Sequence, residues 1–299
     1  MNEKYFYSTQ SVFSDPGKHK RLFDDLPDSI EDLCNIVHGL VLQKDYTEEM
    51  YFFKAPQERK LEADIRYIEK ILDRIMEMDN SQLKKPRVPI NRLFGSCRDF
   101  SLLLVSFLRH TGIPARIRYG FANYFSHEWF EDHVVCEYWN KQTKSWMLVD
   151  SELGKEEIKK NKIDFDPARV PRDKFLTSGV AWKLVRDEKA DSNYFGVPPI
   201  DIKGTWFVFA SVVRDLAALN KVELLPWEYT EFSNEHFYKV SERDPSEINL
   251  IDKITELSRE PGKNLKELIT LYRSDSRLNG NNQIISYTIE GKKIINLKT

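Results

Sequence analysis

The sequence predicts an α+β protein in which one buried helix packs against a short antiparallel sheet, with helical regions on either side. Three observations lead there. Residues 96–110 are apolar nearly all round, as a helix enclosed on several sides must be. Three short β-rich segments follow directly, and antiparallel strands after a helix belong to α+β architectures. The long flanks carry helical rather than alternating periodicity. A hydrophobic share of 41% against 31% charged, over 299 residues, suits a folded core and argues against disorder.

Taken in order, residues 24–43 open on Pro27, Asp28 and Ser29 as a capping signal. They continue through Ile30, Leu33, Cys34, Val37, Leu40 and Val41 at helical spacing. Cys34 lies in that stripe and reads as a small buried hydrophobe. In residues 56–78, Leu61, Ile65, Ile68, Leu72, Ile75 and Met76 recur at intervals of mostly three and four, which predicts one amphipathic helix. Residues 80–89 are a polar connector containing Pro86 and Pro89. Gly112 and Pro114 end the central helix. Residues 115–120, 134–139 and 145–149 read as strands, the last two joined as a hairpin through 140–144.

Beyond Glu152, residues 155–160 read as a charged, solvated stretch, and 165–173 and 191–199 as loops. Residues 178–187, 207–220, 246–257 and 265–271 read as helices, and 284–289 with 292–297 as a terminal hairpin about Glu290 and Gly291. The expected organisation is a helical region over 1–90, a core over 91–152, and a mostly helical extension over 153–299 within the same globular unit.

The formal net charge of -2, without a basic stripe, argues against a nucleic-acid partner. Cys34, Cys97 and Cys136 are odd in number and widely spaced, which fits neither a disulfide framework nor a zinc ladder. The first ten residues lack the form of a signal peptide, and no apolar run is long enough for a bilayer. The expectation is a cytoplasmic protein with no membrane partner, in which Cys97 stays a thiol.

Cys97 stands at the start of the central helix, after Gly95 and Ser96. Unpaired N–H groups and the helix dipole at such a position stabilise a thiolate, and the same N–H groups can stabilise an oxyanion. Gly95 is read as leaving room for close substrate approach. His133 opens the strand at 134–139 and Asp150 closes the strand at 145–149. If those strands pair, both side chains fall at one sheet edge, where an imidazole held by a carboxylate can activate a thiol. Asp99 is better placed to cap the helix. Cys136, three residues from His133, points to the opposite strand face, so no metal set is assigned. The absence of a Gly-rich phosphate loop predicts cofactor-free chemistry.

The stretches GSCRDFS at 95–101, LRHTGIPAR at 108–116 and Tyr119-Gly120 resemble the core of the transglutaminase-like superfamily. WMLVD at 146–150 is similar to its Trp-x-x-x-Asp ending, and Glu137 matches an acidic position the family often has. The resemblance implies a papain-like fold with Cys97, His133 and Asp150 as nucleophile, base and orienting acid. Val135 departs from the pattern, which commonly has Trp there. His127, followed by Glu128 and Trp129, is the competing base; otherwise it and Trp129 would line a cleft with Tyr124, Phe125 and Phe130. Related thiol enzymes supply an upstream amide to the oxyanion hole, a role Asn91 could take if it is not simply a turn residue. Ser96 joins the oxyanion candidates. Arg98 and Arg116 either bind a carboxylate or pair with nearby acids. The expected activity is hydrolysis of a small amide, a peptide or a carrier-bound acyl group through an acyl-thioester on Cys97. The alternatives are acyl transfer to an amine and an inactive binding or scaffold protein.

Overall fold

The computed structural model describes residues 2–126, 128–234 and 242–298. It forms two compact units, one of Asn2–Ile117 with Val135–Val170 and one of Arg118–Val134 with Pro171–Thr299. The chain passes between them three times, twice inside continuous strands and once between Val170 and Pro171, so the residues expected as the core, 91–152, belong to both.

The first unit begins with α1 (Glu3–Tyr7) and α2 (Ile30–Leu40), which runs straight into β1 (Val41–Gln43). Ser29 caps α2, its Oγ accepting the Asp32 N–H at 3.2 Å. Then come α3 (Thr47–Tyr51), α4 (Ile68–Met78), β2 (Leu93–Gly95) and α5 (Cys97–His110). β1 and β2 pair in parallel, with Gln43 opposite Gly95. α5 is the expected central helix, buried from Cys97 to Arg109. β3 (Ala115–Ala122) leaves the unit and β4 (Phe130–Asn140) returns to it. β4 forms the expected hairpin with β5 (Ser145–Val149), in a register running from Asn140 opposite Ser145 to Cys136 opposite Val149. α6 (Lys155–Asn161) follows.

Two segments of this unit differ from the expectation for physical reasons. Residues 56–78 are not one helix: Gln57–Asp64 is a 3₁₀ turn, and α4 starts only at Ile68. The Glu62 carboxylate is buried, accepting from Arg59 at 2.6 Å, Arg74 at 2.8 Å and the Phe94 N–H at 3.0 Å. These bonds fix the turn, and the Ile68 N–H is satisfied by the Phe13 carbonyl at 2.8 Å instead of an earlier helical turn. Residues 155–160, expected as a solvated stretch, form α6. Glu157 turns inward there, accepting from the Gly154 N–H at 3.1 Å and contacting His38 Nε2 at 3.0 Å. A Cβ at 154 would lie 2.3 Å from that imidazole nitrogen, so a larger residue there would have to displace the His38 ring.

The second unit contains β6 (Phe175–Thr177), α7 (Ser178–Arg186), β7 (Phe195–Val197), β8 (Ile202–Lys203), α8 (Thr205–Leu219) and β9 (Glu228–Tyr229). It ends with α9 (Pro245–Arg259), α10 (Pro261–Ser274), α11 (Ser276–Asn279), β10 (Gln283–Thr288) and β11 (Gly291–Asn296). β6 pairs antiparallel with the part of β3 in this unit, and β7 runs parallel to the start of β4. The terminal hairpin is present, with β9 added to its other edge. β7 lies in a segment expected as loop; its three residues are too few to show a strand pattern. α8 is buried from Phe207 to Leu219 and includes Asp215, whose carboxylate accepts from Arg118 at 3.0 and 2.8 Å and from the Tyr119 N–H at 2.9 Å. No helix among the described residues is long and apolar enough to cross a membrane.

Candidate active site

Cys97 is the first residue of α5 and is 8% exposed. The helix start is held by its neighbours. The Ser96 N–H donates to Asp99 Oδ2 at 2.8 Å and Ser96 Oγ to the same oxygen at 3.2 Å. Asp99 is thus the capping acid expected of it. Its other oxygen accepts from Arg98 at 2.9 Å, and the Arg98 guanidinium also donates to the carbonyls of Ile65 and Arg66. Burial pushes the Asp99 carboxyl up, against the pull of Arg98 and the Ser96 donors. Both Ser96 donors therefore serve the cap, which assigns its side chain to the helix start and not to an oxyanion. Arg116 is likewise paired, with Glu137 at 2.7 Å and Glu3 at 2.6 Å.

Gly95 has a different role from the one expected. A Cβ at this position would lie 2.9 Å from Val41 Cγ1 and 3.0 Å from Asp99 Cβ, so the space belongs to β1 and the cap, not to a substrate. Asn91 ends a 3₁₀ turn, Pro89–Asn91, and β2 then carries the chain away from it in extended form.

His133 lies on β4 and is 3% exposed. Its ring is edge-on to Phe125 at 4.9 Å and Tyr124 at 6.0 Å, so the aromatic loop walls the imidazole. Trp129 packs on Tyr194 at 6.3 Å, with Lys203 over its ring at 5.4 Å. Phe130 stacks on Phe195. His127 lies outside the described residues.

Asp150 is 1% exposed and follows β5 directly. Its N–H donates to the Pro167 carbonyl at 2.9 Å, and its Oδ1 accepts the Glu152 N–H at 3.0 Å. This turn delivers a residue that the sequence reading passed over. The thiol of Cys97, a ring nitrogen of His133 and a carboxylate oxygen of Glu152 all lie within 4.8 Å of one another. Glu152 is 3% exposed, and its Oε1 accepts from Gln43 Nε2 at 3.2 Å. The hairpin register ends at Cys136 opposite Val149, so Glu152 is placed by the turn that follows β5 and not by strand pairing. The three donors combine a nucleophile, a base and a carboxylate. They are also a set able to hold a thiophilic cation.

The other two thiols are poorly suited to chemistry. Cys136 is fully buried, and burial holds its thiol well above the usual cysteine range. Cys34 is half-buried, and burial followed by the charge of Asp150 pushes its thiol up as well.

An α+β core that places a cysteine at a helix start, a histidine within the neighbouring strand and acids just after the next has the architecture of the thiol-enzyme class of fold. Comparison places the core more closely: residues 53–151 match the transglutaminase-like superfamily, so the match begins well before the motifs at 95–150 and takes in α4 and β2. No curated protein matches the chain. A solved structure described as a "Putative Cysteine Protease" from Cytophaga hutchinsonii aligns with 12% identity over 59% of this chain and 46% of its own, with a TM-score of 0.33. The aligned part is thus less than half the length of that protein.

Proposed function

We propose that the protein is a cysteine-dependent acyl enzyme in which Cys97 is the nucleophile and His133 the base. The observation that carries this reading is the approach of the Cys97, His133 and Glu152 donors within 4.8 Å at the N-terminus of α5. His133 takes the thiol proton, and the sulfur attacks the carbonyl carbon of an amide, peptide or carrier-bound acyl group. The leaving amine or thiol departs with a proton from the imidazolium, and an acyl-thioester remains on Cys97. Water then gives hydrolysis, the favoured outcome here; an amine in its place gives transfer. Asp150 and Glu152 divide the carboxylate's work: either can stabilise the imidazolium, and the turn bond between them couples their positions. No metal or cofactor enters the proposed steps.

The experiment is to incubate the wild type and Cys97→Ala with cell extract and search for acyl adducts by mass spectrometry. An adduct on Cys97 that water alone discharges supports a hydrolase, and discharge only with added amine supports a transferase. Folded wild-type protein giving no Cys97-dependent adduct or product would return the weight to a binding or scaffold protein.

A further inference from the structure

Three buried donors of different chemistry meet at the start of α5. The Cys97 sulfur, a His133 ring nitrogen and a Glu152 oxygen come within 4.8 Å of one another, and the three residues are 8%, 3% and 3% exposed. A group of surface acids would hold a hydrated ion loosely. These donors instead come from three separate places in the chain, α5, β4 and the turn after β5, and are shut off from bulk water. Two of them are also held from behind. Gln43 Nε2 donates to Glu152 Oε1 at 3.2 Å, and the Glu152 N–H donates to Asp150 Oδ1 at 3.0 Å. The His133 ring is edge-on to Phe125 at 4.9 Å, Tyr124 at 6.0 Å and Phe175 at 6.4 Å. Outer contacts of this kind orient the ligands of a metal.

We propose that Cys97, His133 and Glu152 form a zinc site, and that zinc bound there holds the thiol out of reaction. The choice of ion follows from the donors. One sulfur, one imidazole nitrogen and one carboxylate oxygen suit zinc, whereas magnesium and calcium take oxygen ligands. Three protein ligands leave the fourth tetrahedral position to water. With ligand bonds of about 2.0–2.3 Å, a tetrahedral zinc sets its donors about 3.3–3.6 Å apart. Donors already within 4.8 Å of one another need to close by at most about 1.5 Å to share the ion. Charge balances as well. The thiolate and the carboxylate together cancel the two positive charges of the ion, and the imidazole is neutral, so no net charge is buried. On binding, the sulfur–hydrogen bond breaks, its proton passes to water, and the sulfur electron pair forms the bond to zinc. The pair that attacks an electrophile is then committed to the metal. The site needs only the three donors and does not depend on the acyl reaction.

The test begins with the full chain stripped of metal by a chelator and given one equivalent of zinc chloride. One zinc should bind per chain, read by competition with a chromophoric chelator. Alkylation of Cys97 by iodoacetamide, followed by peptide mass spectrometry, should slow at least about tenfold and recover when excess chelator is added. Cobalt in place of zinc should give a sulfur-to-cobalt charge-transfer band that Cys34→Ala keeps and Cys97→Ala lacks. Removing an outer partner of a metal ligand weakens binding about 10- to 100-fold, so Cys97→Ala and Glu152→Gln should each lose at least that much zinc affinity. Circular dichroism reports whether those variants are folded, and the alkylation measurement needs the wild type alone. Zinc that leaves Cys97 alkylation unchanged overturns the proposal, as does zinc that binds folded Cys97→Ala and Glu152→Gln as tightly as the wild type. A protein that binds zinc as expected yet never forms an acyl adduct keeps this site and loses the proposed function.

Discussion

At the scale of single residues, the contrast between three cysteines is the sharpest expectation. Cys34 and Cys136 are held protonated by burial, while Cys97 meets the N–H groups of a helix start, an imidazole and a carboxylate. Brief exposure of the folded protein to iodoacetamide should label Cys97 at least about tenfold faster than the other two, read by peptide mass spectrometry. Glu152→Gln should shift the pH–rate profile of that alkylation to lower pH on both limbs. Loss of a nearby negative charge makes the thiolate easier to form and the imidazolium easier to lose. An unmoved profile would leave Glu152 without an electrostatic role at the thiol. Cys97 was legible because it begins α5, and element starts leave marks in a sequence; His133 was read as a strand start too, but β4 begins three residues earlier, at Phe130, and His133 lies inside it. Glu152 was not legible, because it lies in the turn after β5, where no strand periodicity or pairing register marks it. Gln43 carried no mark at all, since its neighbour Gly95 is distant in sequence and the pairing is set by tertiary packing.

At the scale of elements, the start of α5 is a packed joint. Gly95→Ala would press a methyl group against Val41 and Asp99, and should cost about 1–3 kcal/mol in a denaturant titration, as overpacking does. A loss of substrate binding with unchanged stability would instead restore the role expected from sequence. The contact of α2 with α6 through His38 and Glu157 offers a pH test. Burial raises the Glu157 carboxyl, but the hydrogen bond and charge of His38 outweigh it, and the net shift is downward. A depressed carboxyl contributes stability that is present above its unfolded value, about 4.3, and is lost as pH falls through its folded value. Glu157→Gln should therefore cost about 1.5–3 kcal/mol near neutral pH. The difference from wild type should shrink as pH drops below about 4, where the wild-type carboxyl takes up its proton. A cost independent of pH would mean that packing, not charge, holds the contact. Elements with long periodic patterns, α5 and α8 above all, were readable in advance. The break at 65–67 was not, because the buried Glu62 that causes it gathers partners from α4 and β2.

At the scale of the whole molecule, each compact unit carries its own buried polar anchor. In the second unit it is Asp215 on α8, which satisfies Arg118 and the Tyr119 backbone of β3. Removing one partner of a buried pair leaves the other uncompensated, so Asp215→Asn should cost about 3–5 kcal/mol, measured by chemical denaturation. A change below about 1 kcal/mol would show that the pair contributes little there. The division of the chain into these units was hidden from the sequence. Two of its three boundaries fall inside β3 and β4, where nothing in composition changes and no linker marks them; the third, between Val170 and Pro171, lies in the segment 165–173 that reads as loop.

The central claim is that His133 activates Cys97, and the pH dependence of Cys97 alkylation in the intact protein tests it most directly. In the wild type, reaction with iodoacetamide should continue well below the pH at which an ordinary thiol, with a value of about 8.5, ceases to react. In His133→Ala the profile should move up toward that ordinary range, with slower reaction at neutral pH by about tenfold or more. Superimposable profiles for the two proteins, both folded, would contradict the claim.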